Sequence, residues 1–323
     1  MTGKELRIVF MGTPGFAVAG LKALVENGYN VVGVITAPDK PAGRGKKLTE
    51  PAVKKYAVEK GLKVLQPEKL KNPEFLEELK NLQADLQVVV AFRMLPEEVW
   101  NMPRLGTFNL HASLLPQYRG AAPLNWAIIN GETKTGVTTF LLDHKIDTGK
   151  ILFSDEIEIG YNDTVGDLHD LLMVTGASLV LRTVDALAEG NVKPIAQTEI
   201  LPEEKIKNAP KIFKEDCKID WTNDVETVRN LIRGLSPYPA AWANLVHKET
   251  GRTLPCKIFF AQPVITEEKA KPGTIDSDDE TYLNIACGNG WLEITDLQLS
   301  GKKRLKTSDF LRGFRQIFDY RFE

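Results

Sequence analysis

The 323-residue chain is poor in the residues that define several classes of protein. It has three cysteines, Cys217, Cys256 and Cys287. They are widely scattered, which gives neither a disulfide framework nor a zinc-ligand spacing. Its longest aliphatic runs are strand-sized, which argues against a membrane span. Its first eleven residues lack the apolar stretch and small-residue cleavage site of a signal peptide, so a cytoplasmic protein is expected. Charge of one sign is missing too. Lys and Arg number 41 against 43 Asp and Glu, a net charge of −2, so any nucleic-acid contact must come from local patches. Neither G-x-G-x-x-G nor a Walker loop occurs, which disfavours an oxidoreductase and a P-loop nucleotidase. Histidines number only four, so one in a chemical context is informative.

What is present is ordinary globular material, 43% hydrophobic and 26% charged, in a chain long enough for two domains. Residues 6–11 read as a buried strand and Gly12-Thr13-Pro14-Gly15 as a turn. A helix over 16–27 stops at Gly28, and a second strand covers 30–36. This is the opening of a doubly wound α/β fold, a Rossmann-like, mostly parallel sheet. Helices are expected over 51–60, 72–81 and 123–130. Strands are expected over 86–91, 106–111, 137–142 and 151–159, with a long helix from the Asn162-Asp163-Thr164 cap to about 187. The segment 191–210 is proline-punctuated and aperiodic, which suits a connection between domains. Short strands at 218–221, 241–247, 254–261, 281–286 and 291–299, a helix over 225–234 and a closing helix over 309–314 suggest a smaller, OB-like β-barrel. The expected domains are therefore 1–190, a linker over 191–210, and 211–323.

Three stretches carry chemistry. Asn109 and His111, two residues apart on a strand, place an amide and an imidazole on one face. That pair suits a reaction that develops charge on a carbonyl oxygen and moves a proton. Asp147, in Asp147-Thr148-Gly149 after a strand, is a third candidate, since a carboxylate orients a nearby imidazole and favours its charged form. The bland alternative is a local Asx turn at Asp147 or Asp143. His144, His169 and His247 read as ordinary surface or loop histidines. The segment 39–48, with Lys40, Arg44, Lys46 and Lys47 among glycines and a proline, reads as an exposed loop fit to contact phosphates. Residues 301–315 hold Lys302, Lys303, Arg304, Lys306, Arg312 and Arg315 against Asp309 alone, a second candidate for a phosphate backbone.

Asn109-x-His111, Ser113-Leu114-Leu115-Pro116, Tyr118-Arg119-Gly120 and Asp147-Thr148-Gly149 together resemble the folate-dependent formyltransferase family. The segments 10–14 and 39–48 narrow the resemblance to the branch that formylates methionyl-initiator tRNA. It extends from about residue 6 to the end, including Ile219-Asp220-Trp221 and Pro272-Gly273-Thr274. It implies transfer of the formyl group of 10-formyltetrahydrofolate to the methionyl amine, with Asn109, His111 and Asp147 catalytic and no metal required. It implies a folate site lined by Ser113, Leu114, Leu115 and Pro116, with Phe92, Arg93, Met94, Leu142 and Asp143 alongside. It implies tRNA contacts at Lys40, Arg44, Lys46 and Lys47, and in the carboxyl-terminal barrel at Lys302, Lys303 and Arg304. A monomer is expected. Two departures stand out: the segment Ala91–Pro96 is one residue shorter than the family's, with Arg93 where a glycine is usual, and Lys145 replaces another glycine. The competing readings are a formyltransferase acting on a sugar nucleotide, a formyltetrahydrofolate hydrolase and, from another class, a non-catalytic RNA-binding protein.

Overall fold

A computed structural model describes residues 2–42 and 47–323. The chain forms two compact units, one of Met1–Gly120, Gly136–Ile157 and His169–Asn208, the other of Ala121–Thr135, Glu158–Leu168 and Ala209–Glu323.

The first unit is organised by a seven-stranded sheet in the order Ile151–Glu158, Lys134–Leu141, Thr107–His111, Leu86–Val90, Ile8–Gly12, Val31–Ile35, Val64–Leu65. The ladders from Thr107–His111 to Val64–Leu65 are parallel, and Lys134–Leu141 joins antiparallel. Ile8–Gly12 and Leu86–Val90 are buried at every position, which is why both read as near-continuous apolar runs, broken only by Gln87. A Cβ on Gly12 would lie 2.6 Å from that of Ala17 and 3.0 Å from the carbonyl of Val90. Glycine here lets helix Gly15–Glu26 pack close to the sheet.

Helix starts follow sequence chemistry. Asn72 caps Pro73–Asn81 by accepting from the amide of Glu74 at 2.9 Å. Thr164 and Asp167 cap Val165–Glu189 reciprocally, at 2.9 and 3.3 Å. Pro51, expected inside the first turn, stands at the N-cap of Ala52–Glu59. The 25-residue helix Val165–Glu189 is long and apolar enough to cross a membrane by length and composition, which reading individual runs does not disclose. Its Leu172, Leu179, Val180 and Val184 are nonetheless buried in the protein.

Two segments read as irregular carry structure. In 39–48, Lys40–Ala42 and Lys47–Thr49 pair as a short antiparallel ladder. In 191–210, Gln197–Ile200 is a helical turn and Gln197 is buried.

The second unit holds a nearly closed antiparallel sheet. Its order is Ile275–Ser277, Leu283–Ala286, Trp291–Leu299, Thr253–Val264, Ala241–His247, Tyr320–Phe322, with Leu305–Lys306 on Trp291–Leu299. Trp221, Ile232, Leu235, Ile258 and Leu292 fill its core. Residues 218–221 form only a single bridge, Lys218 to Trp242. The closing helix expected over 309–314 forms as Thr307–Gly313, and a further strand, Tyr320–Phe322, follows it. The amide of Phe322 donates to the carbonyl of Gly273, beside the first strand, at 2.9 Å. Three residues are too few for alternation to mark that strand.

Candidate active site

The strand Thr107–His111 sets the site because its register is fixed on both sides. Asn109 pairs with Val89 on one side and Phe140 on the other, and His111 with Thr138. Thr107, Asn109 and His111 share a face by the two-residue period.

His111 is 6% exposed. Its Nε2 lies 2.9 Å from the carbonyl oxygen of Tyr118. A carbonyl only accepts, so Nε2 carries the hydrogen. Nδ1 then faces the Asp147 carboxylate, with Oδ2 at 3.9 Å. That separation is too long for a hydrogen bond but short for an ionic attraction. The imidazole and the Phe140 ring meet in a T-shaped arrangement, at a centroid distance of 6.4 Å.

Asp147 is held from two directions. Its Oδ2 accepts from the amide of Gly120 at 3.0 Å. Its carbonyl, and that of Gly149, each accept from Gln197 Nε2 at 2.9 Å. Gln197 Oε1 in turn accepts from Arg119 Nε and Nη2 at 3.0 and 2.8 Å. The backbone at Asp147 is left-handed, φ +55°, a conformation uncommon for non-glycine residues, although aspartate tolerates it better than most. The Asx turn is instead made by Asp143, whose Oδ1 accepts from the Lys145 amide at 3.0 Å and the Thr148 hydroxyl at 2.8 Å. Gln197 went unseen in the sequence because its partners lie 78 and about 50 residues away, and nothing local marks it.

Asn109 Oδ1 is buried and has no hydrogen-bond partner among the described residues. An unpaired buried amide oxygen costs about 1–3 kcal/mol, so a site that keeps one offers it to a donor from elsewhere.

The turn after His111 is fixed by its own hydrogen bonds. The Ser113 hydroxyl donates to the Gln117 carbonyl at 2.7 Å. Thr138 Oγ1 donates to the Ser113 carbonyl at 2.7 Å and accepts from the Leu115 amide at 3.1 Å. The Leu115–Pro116 peptide is cis. Leu115, Phe140 and Ile151 form a small apolar cluster joined by Leu142, with Leu114 half-buried and Pro116 buried. Leu142 also packs, with Phe92, against the cluster of Val9, Met11, Val89 and Leu95. The structure thus gathers Asn109, His111 and Asp147 with residues 113–116, and links Phe92 and Leu142 through shared packing.

Arg93 has a definite place. Its guanidinium donates to the carbonyls of Glu68, at 2.8 Å, and Pro67, and lies 5.5 Å from the Phe92 ring centre. Burial holds its basicity below the usual arginine value. It ties the shortened loop to residues 67–68, while Met94 beside it is 69% exposed. Ala91, which opens the loop, is left-handed at φ +48°.

Of the basic candidates, Lys40 is exposed, Lys47 is described by its backbone alone, and Arg44 and Lys46 lie outside the described residues. Neighbouring Lys54 is engaged by Asp39 at 2.6 Å and Glu50 at 2.8 Å. Lys302 and Lys303 are exposed. Arg304 is held bidentately by Asp296, at 2.7 and 2.6 Å, and lies 4.3 Å from the Phe259 ring centre. His144 and His169 lie at the surface beside acids, and His247 Nδ1 accepts from the amides of Glu249 and Thr250 in its own turn.

Two family models match the chain: Formyl transferase over residues 6–184, and Formyl transferase, C-terminal domain, over 211–315. A methionyl-tRNA formyltransferase of Bacteroides thetaiotaomicron is 56% identical over 321 residues, 99% of each chain. One from Parabacteroides distasonis is 57% identical over 322 residues, again 99% of each. Among solved structures, the fold is similar to an N-formyltransferase from Helicobacter canadensis in complex with folinic acid and dTDP-3-aminofucose. That match has a TM-score of 0.65 and 21% identity, and covers 93% of this chain and 100% of that one. It is also similar to HypX from Aquifex aeolicus in complex with tetrahydrofolic acid, with a TM-score of 0.62 and 21% identity over 95% of this chain, which spans about half (47%) of that one.

Proposed function

Because the chain belongs to the methionyl-tRNA formyltransferase family, we propose that it transfers the formyl group of 10-formyltetrahydrofolate to the free amine of methionyl-initiator tRNA. The observation that carries the reading at the level of chemistry is the Asn109 amide, its Oδ1 without a hydrogen-bond partner among the described residues, on the strand face it shares with His111 of the His111–Asp147 pair.

The reaction needs four events. The neutral methionyl amine attacks the formyl carbon, an oxyanion forms, the bond from that carbon to the folate nitrogen breaks, and the amine's proton passes to that nitrogen. The Asn109 amide group meets one of these needs, since its N–H donates to the oxyanion. An oxyanion donor of this kind typically contributes about 3 kcal/mol to the barrier. His111 has its Nε2–H committed to Tyr118, so the reacting side of the ring is Nδ1, facing Asp147. The amine's proton is taken up between these two groups, directly or through a water, and passed to the departing nitrogen. Leu115, Leu142 and Phe92, backed by the buried Phe140, form the wall against which the folate ring system packs. Ser113, Leu114, Pro116, Arg93, Met94 and Asp143 complete the proposed folate side.

Residues 1–190 are the proposed catalytic domain, 191–210 the connection, and 211–323 the tRNA-binding barrel. Lys40, Arg44, Lys46, Lys47, Lys302 and Lys303 neutralise phosphates. Arg304, already engaged by Asp296, fixes the segment that carries the two lysines.

Purified protein is expected to formylate methionyl-initiator tRNA when supplied with 10-formyltetrahydrofolate, and Asn109→Ala to lower the rate by about 100- to 1,000-fold. Formylation of a sugar nucleotide with none of the tRNA would overturn the assignment.

A further inference from the structure

We propose that Gln197 is a positioning residue for the reaction. It acts through Asp147, as one side of a hydrogen-bonded ring that fixes the carboxylate against His111. The proposal rests on the function given above.

The ring closes through four residues. Arg119 donates twice to Gln197 Oε1, at 3.0 and 2.8 Å. Gln197 Nε2 donates to the carbonyls of Asp147 and Gly149, each at 2.9 Å. The Asp147 carboxylate returns to the chain beside Arg119 by accepting from Gly120 at 3.0 Å. The Gln197 amide therefore uses both acceptor and both donor positions while 2% exposed. No carboxylate, hydroxyl or aliphatic side chain of that size satisfies two guanidinium donors and two carbonyls at once.

The arrangement does what the Asp147 turn cannot do alone. A left-handed aspartate is unfavourable by itself, and two donors on the carbonyls of residues 147 and 149 hold it there. The direction of the side chain follows from that backbone, so the 3.9 Å between Asp147 Oδ2 and His111 Nδ1 is set from the Gln197 side. Among the described residues Gln197 makes no hydrogen bond to Asn109 or His111, so its effect passes through Asp147.

Gln197→Glu is the discriminating variant. It preserves size and still accepts from Arg119, but presents an oxygen where two carbonyls need a donor. The expected result with the full chain is a kcat lowered by about 10- to 100-fold, as for an ångström-scale misplacement of a catalytic group. KM for both substrates should stay within about twofold. In an Asp147→Asn background the same change should cost little more, because the two act as one unit. Arg119→Lys, which keeps the charge but loses the paired donors, should lower kcat in the same direction and less. Losses that multiply across the double variant, or that fall on KM, would overturn the proposal. If Gln197→Glu does not fold, Arg119→Lys with Asp147→Asn makes the same comparison. The ring 15N shifts of His111 in substrate-free protein should differ between wild type and Gln197→Glu, and an unchanged spectrum also overturns the idea. That readout needs no turnover, so a wild type inactive on tRNA would refute the substrate assignment and leave the ring testable.

Discussion

Adding one methyl group at Gly149 tests how tightly the Asp147 turn is built. An ideal Cβ there would collide with the carbonyl oxygen of Leu141 and lie 3.3 Å from the Phe140 ring. The obstacle is main chain, and it cannot retreat cheaply. Leu141 is paired with Phe108 in the central sheet, and its amide donates to the Lys150 carbonyl at 3.0 Å. The turn must therefore move instead, and it carries the Gly149 carbonyl that Gln197 holds. Overpacking of this kind costs about 1–3 kcal/mol, and loss of the Gln197 bond adds about 1 kcal/mol. At roughly 2–4 °C per kcal/mol for a unit of this size, Gly149→Ala should lower the melting temperature by about 4–16 °C. Displacement of Asp147 should slow transfer by about 100-fold. The assay is a calorimetric melt of the full chain beside initial rates of formyl transfer. Gly15→Ala, with nothing within 4 Å of its added carbon, serves as the control. A Gly149→Ala protein that melts with the wild type and keeps its rate would refute the packing argument.

Two further predictions concern the second unit. Burial opposes ionisation of Asp296, but the hydrogen bond and charge of Arg304, with Lys306, outweigh it and hold the carboxyl below its usual value. A depressed carboxyl contributes stability that is present above its ordinary value of 3.8 and is lost as pH falls through the folded value. Arg304→Gln should therefore cost about 2–3 kcal/mol at pH 7 by denaturant titration, with Lys306 at 3.3 Å limiting the loss. The difference from wild type should shrink below about pH 4, and a difference that grows on acidification would contradict the assigned pairing. Replacing Lys302 and Lys303 by alanine should weaken tRNA binding and reduce the salt dependence of affinity by about one unit of log–log slope per lysine, with KM for the folate unchanged. A slope that does not move would remove these lysines from the interface.

The sequence by itself determined the fold class and pointed to Asn109, His111 and Asp147, of which the fold sets Asn109 and His111 on one strand and Asp147 near His111. Those features are local or periodic. Ile8–Gly12 and Leu86–Val90 are apolar at nearly every position because both faces are covered, Asn72 precedes a helix that it caps, and Asn109 and His111 share a face by strand geometry alone. Tertiary structure decided how those residues are used. Asp143 and Asp147 sit in the same seven-residue turn, and only the fold assigns the Asx turn to one and the His111 contact to the other. Gln197 lies in a segment without period, and its role exists only because residues 119 and 147 are brought to it. Arg304 looks like a free basic residue until Asp296 is placed against it. In each case the deciding interaction is a hydrogen bond or ion pair between groups set by different elements, and residue spacing carries no record of such a contact.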